Sequence, residues 1–366
     1  MKIKEIGFIL TLFMMFLLTG CSDQQQIYQK LIVQGIGIDK SEVGYSITIQ
    51  ALDFQNPVSK DEPSIKILRT SGTSLVSALE NITKETSLTP IYSQNLLVII
   101  SENVAKIGTD QFIDFFIRHC ETRPKVKICI TKKTAFEIFN IKINNKSIKS
   151  QSIHDLIPDE LNSDILHFVR DLKSKISDPY VAWIEPLGES EKSSVKLMGI
   201  GVFSENKLNL FLKDDEALGF MILKGVPKFG AYNLDIPEFD KITGTIDKSN
   251  VSTKIDLKNK KIYLNLNVDI RTFSSGEKKQ LEAYFDESLK EIIEEKFSQI
   301  VKESCYSAIK KCVAIKSDTF NVGRLLKKSD TNFFKSIENN WKNEFCNFEF
   351  VVSAKVKASI IGKEAL

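Results

Sequence analysis

Leu96-Leu97-Val98-Ile99-Ile100, followed by Ser101-Glu102-Asn103-Val104-Ala105-Lys106-Ile107-Gly108, sets the fold class. An unbroken apolar run of strand length bounded by polar residues fits a strand buried on both faces, the pattern of a sheet covered on both sides. A helical turn from Asn103 to Gly108 follows. Thr109 then caps a helix carrying Phe112, Ile113, Phe115 and Phe116, which Pro124 stops before a strand-like segment from Lys125 to Thr131. Strand, helix and strand in this order predict a mixed α/β unit.

Outward toward the N-terminus, Leu31 to Ile38 and Tyr45 to Phe54 read as two strands. The second alternates, with Tyr45, Ile47, Ile49 and Ala51 on one face and Ser46, Thr48 and Gln50 on the other. Gly35-Ile36-Gly37-Ile38-Asp39 has the look of a glycine-rich phosphate loop. It lacks the third glycine and a following helix, so it reads as a strand entering a turn. Ile65 to Leu68 is a further short strand. Thr73 or Ser74 caps a helix with Leu75, Ala78, Leu79 and Ile82 at helical spacing.

Residues 141 to 192 are less regular, with a helix expected from Asp164 to Lys173. Beyond them, Lys196 to Phe203 and Leu208 to Leu212 flank Ser204-Glu205-Asn206-Lys207, a hairpin signal. Val251 to Leu257 and Ile262 to Phe273 flank Lys258-Asn259-Lys260-Lys261, a second one. Ile262, Leu264, Leu266, Val268 and Ile270 alternate strictly, so one face of that strand is buried. Gln280 to Ala314 reads as one helix about 50 Å long. Its apolar stripe, through Leu281, Phe285, Leu289, Ile292, Phe297, Ile300 and Ala308, fits packing on a sheet. Phe348 to Ile360 is a closing strand with Ala354, Val356, Ala358 and Ile360 on one face.

The expected architecture is therefore α+β, a mixed α/β multidomain chain of two small N-terminal domains and a C-terminal sheet packed with a long helix. A boundary is placed near Glu189 to Ser194, giving regions 21–192 and 193–366, the first divided again near 135–145. A chain of 366 residues with 50 basic and 47 acidic side chains has no charge excess to suggest a nucleic-acid partner. No GxSxG, HExxH, P-loop or paired Cys/His motif occurs, and His119, His154 and His167 lack ligand spacing, so no catalytic, metal or cofactor site is expected. Cys120, Cys129, Cys305, Cys312 and Cys346 read as small apolar residues. Cys305 and Cys312 lie two helical turns apart, about 10 Å, too far to bridge. The lysines Lys142, Lys146 and Lys149 read as a solvated loop, or as a contact with anionic lipid.

The first residues carry a different signal. Lys2 and Lys4 precede an apolar run from Ile6 to Leu18, shorter than the roughly 20 residues that span a bilayer. The run ends in Leu18-Thr19-Gly20-Cys21, which resembles the lipobox of bacterial lipoproteins. Residues 1–20 are expected to be a signal peptide. Cys21 is expected to become an N-palmitoyl, S-diacylglycerol cysteine, and Gln24, Gln25 and Gln26 a polar tether.

Taken in order, several segments resemble the Ger(x)C family, the lipoprotein C subunits of spore nutrient germinant receptors. They are Val33-Gln34-Gly35-Ile36-Gly37-Ile38-Asp39-Lys40, Ser71-Gly72-Thr73-Ser74-Leu75, the segment Ser101 to Gly108, and Phe115-Phe116-Ile117-Arg118 with Glu121 after it. Near the C-terminus, Lys316-Ser317-Asp318-Thr319-Phe320-Asn321-Val322-Gly323 leads to Trp341 and Phe345. Ser22 and Gln94 stand where members commonly carry Trp and His. The resemblance implies a non-enzymatic subunit on the outer surface of the spore inner membrane. It would be held there by lipid on Cys21, beside an integral-membrane A-type subunit and a transporter-like B-type subunit. Partner docking is expected on Arg118, Phe320 and Arg324, with core packing as the competing role of the aromatics. The alternative function is a substrate-binding lipoprotein of a transporter, which would need two similar lobes around a cleft.

Overall fold

The computed structural model describes residues 29–54, 64–109, 111–112, 115–116, 123–143, 146–147, 149–188, 194–236, 239–274 and 287–360. Its larger sheet has nine strands. Strand β1 (Lys30–Ser41) sits within it, antiparallel to β2 (Gly44–Asp53), which pairs in turn with β3 (Ser64–Gly72). On its other side β1 is parallel to β4 (Thr89–Ile91) and β5 (Leu97–Ser101). The sheet continues through β6 (Lys127–Thr131), β9 (Tyr180–Leu187), β10 (Ser194–Ser204) and β11 (Lys207–Lys213). A small separate hairpin, β7 (Lys142–Ile143) and β8 (Lys146–Ser147), precedes β9 in the chain. Every residue of β5 and β6 is buried, as the apolar run at Leu97 to Ile100 requires.

The glycines of β1 are there for packing. Helix α3 (Ala135–Phe139) and helix α4 (Ser150–Leu156) cross the sheet where β1 has no side chains. A methyl on Gly37 would lie 2.6 Å from Ala135 Cβ, and one on Gly35 would collide with Ser150 Oγ and the Phe139 ring. Asp39, fully buried, accepts from the amides of Ala135 at 2.7 Å and Phe136 at 3.2 Å, so the strand's last carboxylate caps the helix laid over its glycines. Burial pushes the Asp39 carboxyl above its ordinary range despite these donors. On the opposite face lie α1 (Leu75–Thr86), α2 (Glu102–Ile107) and α5 (Ile165–Leu172). Ser74 closes a capping box with Ser77 at the start of α1, and Asp164 caps α5 through the His167 amide at 2.9 Å.

The smaller sheet runs β12 (Ala231–Ile236), β13 (Phe239–Asp256), β14 (Lys261–Ser274) and β15 (Glu349–Ile360). β13 and β14 form the expected hairpin, while β15 is parallel to β14 and returns through the long helix α7 (Glu287–Ala314). Residues 280–286 of the expected helix lie outside the described residues. The buried stripe of α7 passes through Ile293, Phe297, Val301, Cys305, Ala308, Ile309 and Cys312. The stripe expected through Ile292 is thus one residue off, because Ile292 is 46 % exposed and its neighbour turns inward. α7 also covers the open edge of β15. Ser298 Oγ accepts the Val356 amide at 3.0 Å, and Glu294 Oε1 accepts that of Ala358 at 2.9 Å. Three short helices, α8 (Val322–Ser329), α9 (Thr331–Ile337) and α10 (Trp341–Phe345), join α7 to β15. Among the described cysteines none is disulfide-bonded. Cys129, Cys305 and Cys312 are buried and Cys346 is half-buried, while Cys120 lies outside the described residues.

The division placed near Glu189 to Ser194 does not coincide with the division into sheets. β9 and β10 flank that point and pair antiparallel from Leu187 with Ser194 to Tyr180 with Val202, so the larger sheet runs through it to Lys213. Nor does a boundary of the larger sheet fall at 135–145, where α3 packs on one continuous sheet.

Helix α6 (Asp214–Leu223) follows β11 and joins the two bodies. Its Phe220 and Met221 belong to the core of the larger sheet, and its Leu218 and Ile222 to that of the smaller one. It crosses α7 at Gly219, where a methyl would fall inside the backbone of Ser304. Gly219→Ala is therefore expected to lower stability by about 1–3 kcal/mol, the usual cost of overpacking a core. The check is the urea midpoint and the thermal unfolding temperature. An unchanged variant would mean the crossing has room to spare.

Candidate functional site

The most concentrated polar chemistry lies at the seam between the two bodies, where the turn Ser317 to Asn321 after α7 meets the segment Asp171 to Pro179 before β9. Asp318, 1 % exposed, accepts the amides of Val322 at 2.9 Å and Gly323 at 2.7 Å, and the Trp341 indole N–H at 3.1 Å. It thereby caps α8, whose preceding residue Asn321 is left-handed and makes no side-chain cap. Asp178 accepts from the Asp318 amide at 3.0 Å, the Glu205 amide at 2.8 Å and Lys342 Nζ at 2.7 Å. In return the Asp178 amide donates to the Asp318 carbonyl at 3.2 Å. Ser317 Oγ donates to the Phe203 carbonyl. One carboxylate thus ties the β10–β11 turn, the post-α7 turn and α10 together.

Aromatic packing surrounds this core. The Trp341 ring lies 5.5 Å from Phe334, 5.9 Å from Phe345 and 6.1 Å from Phe348. Gly323 leaves the room for it, since a methyl there would sit 2.6 Å from Trp341 Nε1 and 2.8 Å from the Ile176 carbonyl. At the end of α6, Lys224 donates to the Thr319 carbonyl, and its ammonium lies 4.3 Å from the Tyr180 ring centre. Burial pulls that ammonium down to about 8, against the pull of Asp171 and Asp318. Burial also pushes the Tyr180 phenol up.

Outside the seam opens a cleft of about 630 Å³, lined by Leu172, Ser174, Lys175, Glu205, Asn206 and residues 338–343. Several of its polar groups are engaged within the protein. Lys342 is held by Asp178, Asn343 donates to Asn340 at 2.6 Å, and Lys316 donates to Asn343 at 2.8 Å.

Two of the residues expected at a docking surface fall in the seam. Arg324 donates to Asp171 at 2.7 Å and to Ser177 at 3.0 Å, joining α8 to the end of α5. Phe320 packs 5.4 Å from Phe220. Both side chains connect the bodies of the molecule to one another. Arg118, Leu18, Thr19, Gly20 and Cys21 lie outside the described residues. Asp178, Asp318, Lys224 and Trp341 are the seam residues that composition and periodicity do not single out. The available signal was Ser317-Asp318-Thr319, a capping-type triplet just ahead of the apolar positions Val322 and Leu326.

The geometry defines a class first: a two-body α+β protein whose bodies share one helix and are clasped by buried carboxylates. The chain belongs to the spore germination GerAC family. Residues 23–186 match the family model described as "Spore germination protein N-terminal domain", and residues 198–362 the model "Spore germination B3/ GerAC like, C-terminal". Among curated proteins it is 23 % identical over 361 residues to "Putative spore germination protein YfkR" of Bacillus subtilis (strain 168), covering 90 % of this chain and 92 % of that one. It is 20 % identical over 370 residues to "Spore germination protein KC" of the same organism, covering 92 % and 90 %. To "Spore germination protein A3" it is 30 % identical over 165 residues, 43 % of this chain and 42 % of that protein. A solved structure, "Crystal Structure of the GerBC protein", superposes with a TM-score of 0.57 at 19 % identity, covering 90 % of this chain and 97 % of that one. The family resemblance read from motif order and the α+β expectation are both borne out. The first family model ends at residue 186 and the second begins at residue 198, while the larger sheet runs across that interval.

The seam carries a pH signature. Burial pushes the Asp318 carboxyl up from 3.8 to about 6, against its three donors. The folded state therefore binds a proton more tightly than the unfolded chain. Asp318 costs the fold most above pH 6, and that cost disappears as pH falls toward 4, a span of about 3 kcal/mol. Asp318→Asn removes the titration. Its stability relative to wild type, from urea unfolding, should rise between pH 4 and pH 7 by up to that amount. A flat difference would place the carboxyl in the ordinary range.

Proposed function

We propose that this chain is the non-enzymatic C subunit of a spore nutrient germinant receptor, held by lipid on Cys21 at the outer surface of the spore inner membrane. The observation that carries the reading is the pair of family matches, which together run from residue 23 to residue 362. The Leu18-Thr19-Gly20-Cys21 sequence directly before them supplies the anchor. A thioether-linked diacylglycerol with an added acyl chain gives stable attachment, where a single chain gives marginal attachment. Anchoring confines the body beside membrane-embedded A-type and B-type subunits and raises the effective concentration for docking. No described helix is long and apolar enough to cross a membrane. Under this reading the body's contribution is its shape, two units clasped at a buried seam and presented to membrane partners.

The cleft beside Trp341 favours a second reading, a substrate-binding lipoprotein serving a transporter. The two bodies differ, one with nine strands and one with four, whereas a hinged binding protein builds its cleft from two similar lobes.

One experiment decides between them: affinity purification of the tagged chain from spore membranes, with Cys21→Ala alongside. Recovery of A-type and B-type membrane subunits with the wild type, reduced in the Cys21→Ala sample, is the expected result. Wild type recovered alone would sink the receptor reading. Wild type recovered with an ATP-driven transporter would put the binding-protein reading in its place.

A further inference from the structure

The larger sheet ends at β3, which has no strand on its outer side among the described residues. Two hydrogen bonds show which of its backbone groups face outward. Ser46 Oγ of β2 donates to the Thr70 carbonyl at 3.2 Å, so Thr70 faces β2. Asn81 Nδ2 of α1 donates to the Ser71 carbonyl at 3.0 Å, so Ser71 faces away from β2. β3 pairs with β2 in unbroken register from Ser64 to Gly72, so the two orientations alternate along it. The N–H and C=O groups of Ile65, Ile67 and Arg69 therefore point out of the sheet, and Asn81 closes the row at Ser71.

Other edges are covered or short. α7 covers β15, and beside β11 the Asn206 carbonyl accepts from the Thr109 amide at 2.9 Å. β12 has six residues and a register shift after Leu234. A charged side chain commonly guards an open edge. Arg69 is instead folded back over the sheet. Its Nε donates to Ser46 Oγ at 2.9 Å, and its guanidinium lies 4.7 Å from the Phe136 ring centre. Lys66, half-buried, alternates to the opposite face and makes no ion pair among the described residues. Asp53, opposite Ser64 on that face, is buried.

A cavity of about 280 Å³ adjoins this edge, lined by Gln34, Leu52 and Ile65 of the strands and by Lys149, Ser150 and Gln151. Two local features make room for it. The β1–β2 register shifts between Val33 and Gly35, which leaves Gln34 as an extra residue. Gln50 Oε1 accepts the Ser150 amide and hydroxyl, each at 2.7 Å, and so fixes the start of α4 over β2 rather than over β3. A residue set beside Ile65 by a further strand points its side chain to the face where this cavity opens.

We propose that the β3 edge recognises an extended segment of a partner protein, which adds a strand along Ile65 to Arg69, places an apolar side chain in the cavity beside Ile65 and an acidic one against Lys66. The inference goes beyond the receptor reading and does not depend on the lipid anchor. Outward N–H and C=O groups at strand spacing match an extended backbone whatever its sequence, while the cavity and Lys66 select among sequences.

The test uses the full chain in detergent micelles and a fluorescein-labelled nonapeptide of alternating threonine and valine with glutamate at its centre. Binding is read by fluorescence anisotropy. N-methylation of every second peptide amide should weaken binding more than about tenfold in one alternate set and less than about twofold in the other, because only one set faces β3. Lysine in place of the central glutamate should weaken binding about fivefold, and Lys66→Glu should reverse that preference. The outward Ile67 N–H makes no bond to β2, so Ile67→Pro should unfold near the parent's temperature and lose the peptide. The methylated peptides leave the protein unaltered and keep the test decisive if that variant does not fold. Equal weakening by the two methylation sets, or no binding at millimolar peptide, would overturn the proposal. A dimer of the chain that Ile67→Pro dissolves would make the occupant a second copy and overturn the partner assignment.

Discussion

The crossing of α6 over α7 at Gly219 and Ser304 is the contact on which the rest of the molecule depends. α6 contributes side chains to both hydrophobic cores, and Cys305 donates to the Gly219 carbonyl at 3.4 Å. Backbones this close leave no room for a side chain. The body C-terminal of Lys213 is positioned against the larger sheet by that crossing together with Ala308 and Cys312 of α7, which lie in the larger sheet's core. The turn after α7 then falls where it can meet Asp178. The seam is thus a consequence of the crossing, reached at the far end of the same long helix.

The chemistry of the seam differs from that of the crossing. Buried ion pairs and carboxylate caps give little net stability compared with apolar packing, because each charge must leave water. Asp318 shows this, its carboxyl raised by burial even with three donors. What such contacts supply is register. Asp178 holds the Asp318 amide, the Glu205 amide and Lys342 at once, and a shifted arrangement would leave buried polar groups unpaired at about 1–3 kcal/mol each. The seam is therefore selective about geometry without being a strong glue, and the apolar contacts of α6 carry more of the stability.

Legibility from the sequence followed how locally each element is determined. The β13–β14 hairpin was readable because strict alternation from Ile262 to Ile270 and a polar turn are local signals. α1 and α5 were readable from Ser74 and Asp164, whose caps are set within a few residues. α6 was missed because Ala217 to Ile222 are all buried, which erases the period that marks a surface helix. The placement of β10 and β11 was missed because sheet membership depends on partners distant in sequence. Ile292 and Ile293 are adjacent isoleucines, and only packing against β15 decides which one turns inward. Arg324 and Phe320 were singled out as a docking surface, with core packing as the competing role of the aromatic, because such residues look the same at an interface within a chain as at one between chains. The family was legible from motif order, although no single motif would have carried it.

The two ways of dividing the chain also constrain how it folds. The family models part between residues 186 and 198, while hydrogen bonding parts the sheets after Lys213. Between those points lie β10 and β11, which belong by sequence to the C-terminal model and by pairing to the N-terminal sheet. Without them β9 would be an open edge, and Phe203 and Leu208 would be lost from the core that also holds Tyr45, Phe112 and Phe168. The C-terminal body in turn receives α6 only because β11 delivers it. The larger sheet is not complete with the residues of the N-terminal family model, since β10 and β11 close it from beyond residue 186. The two bodies are joined through the core residues of α6, and the seam contacts of Asp178 and Arg324 hold them against each other.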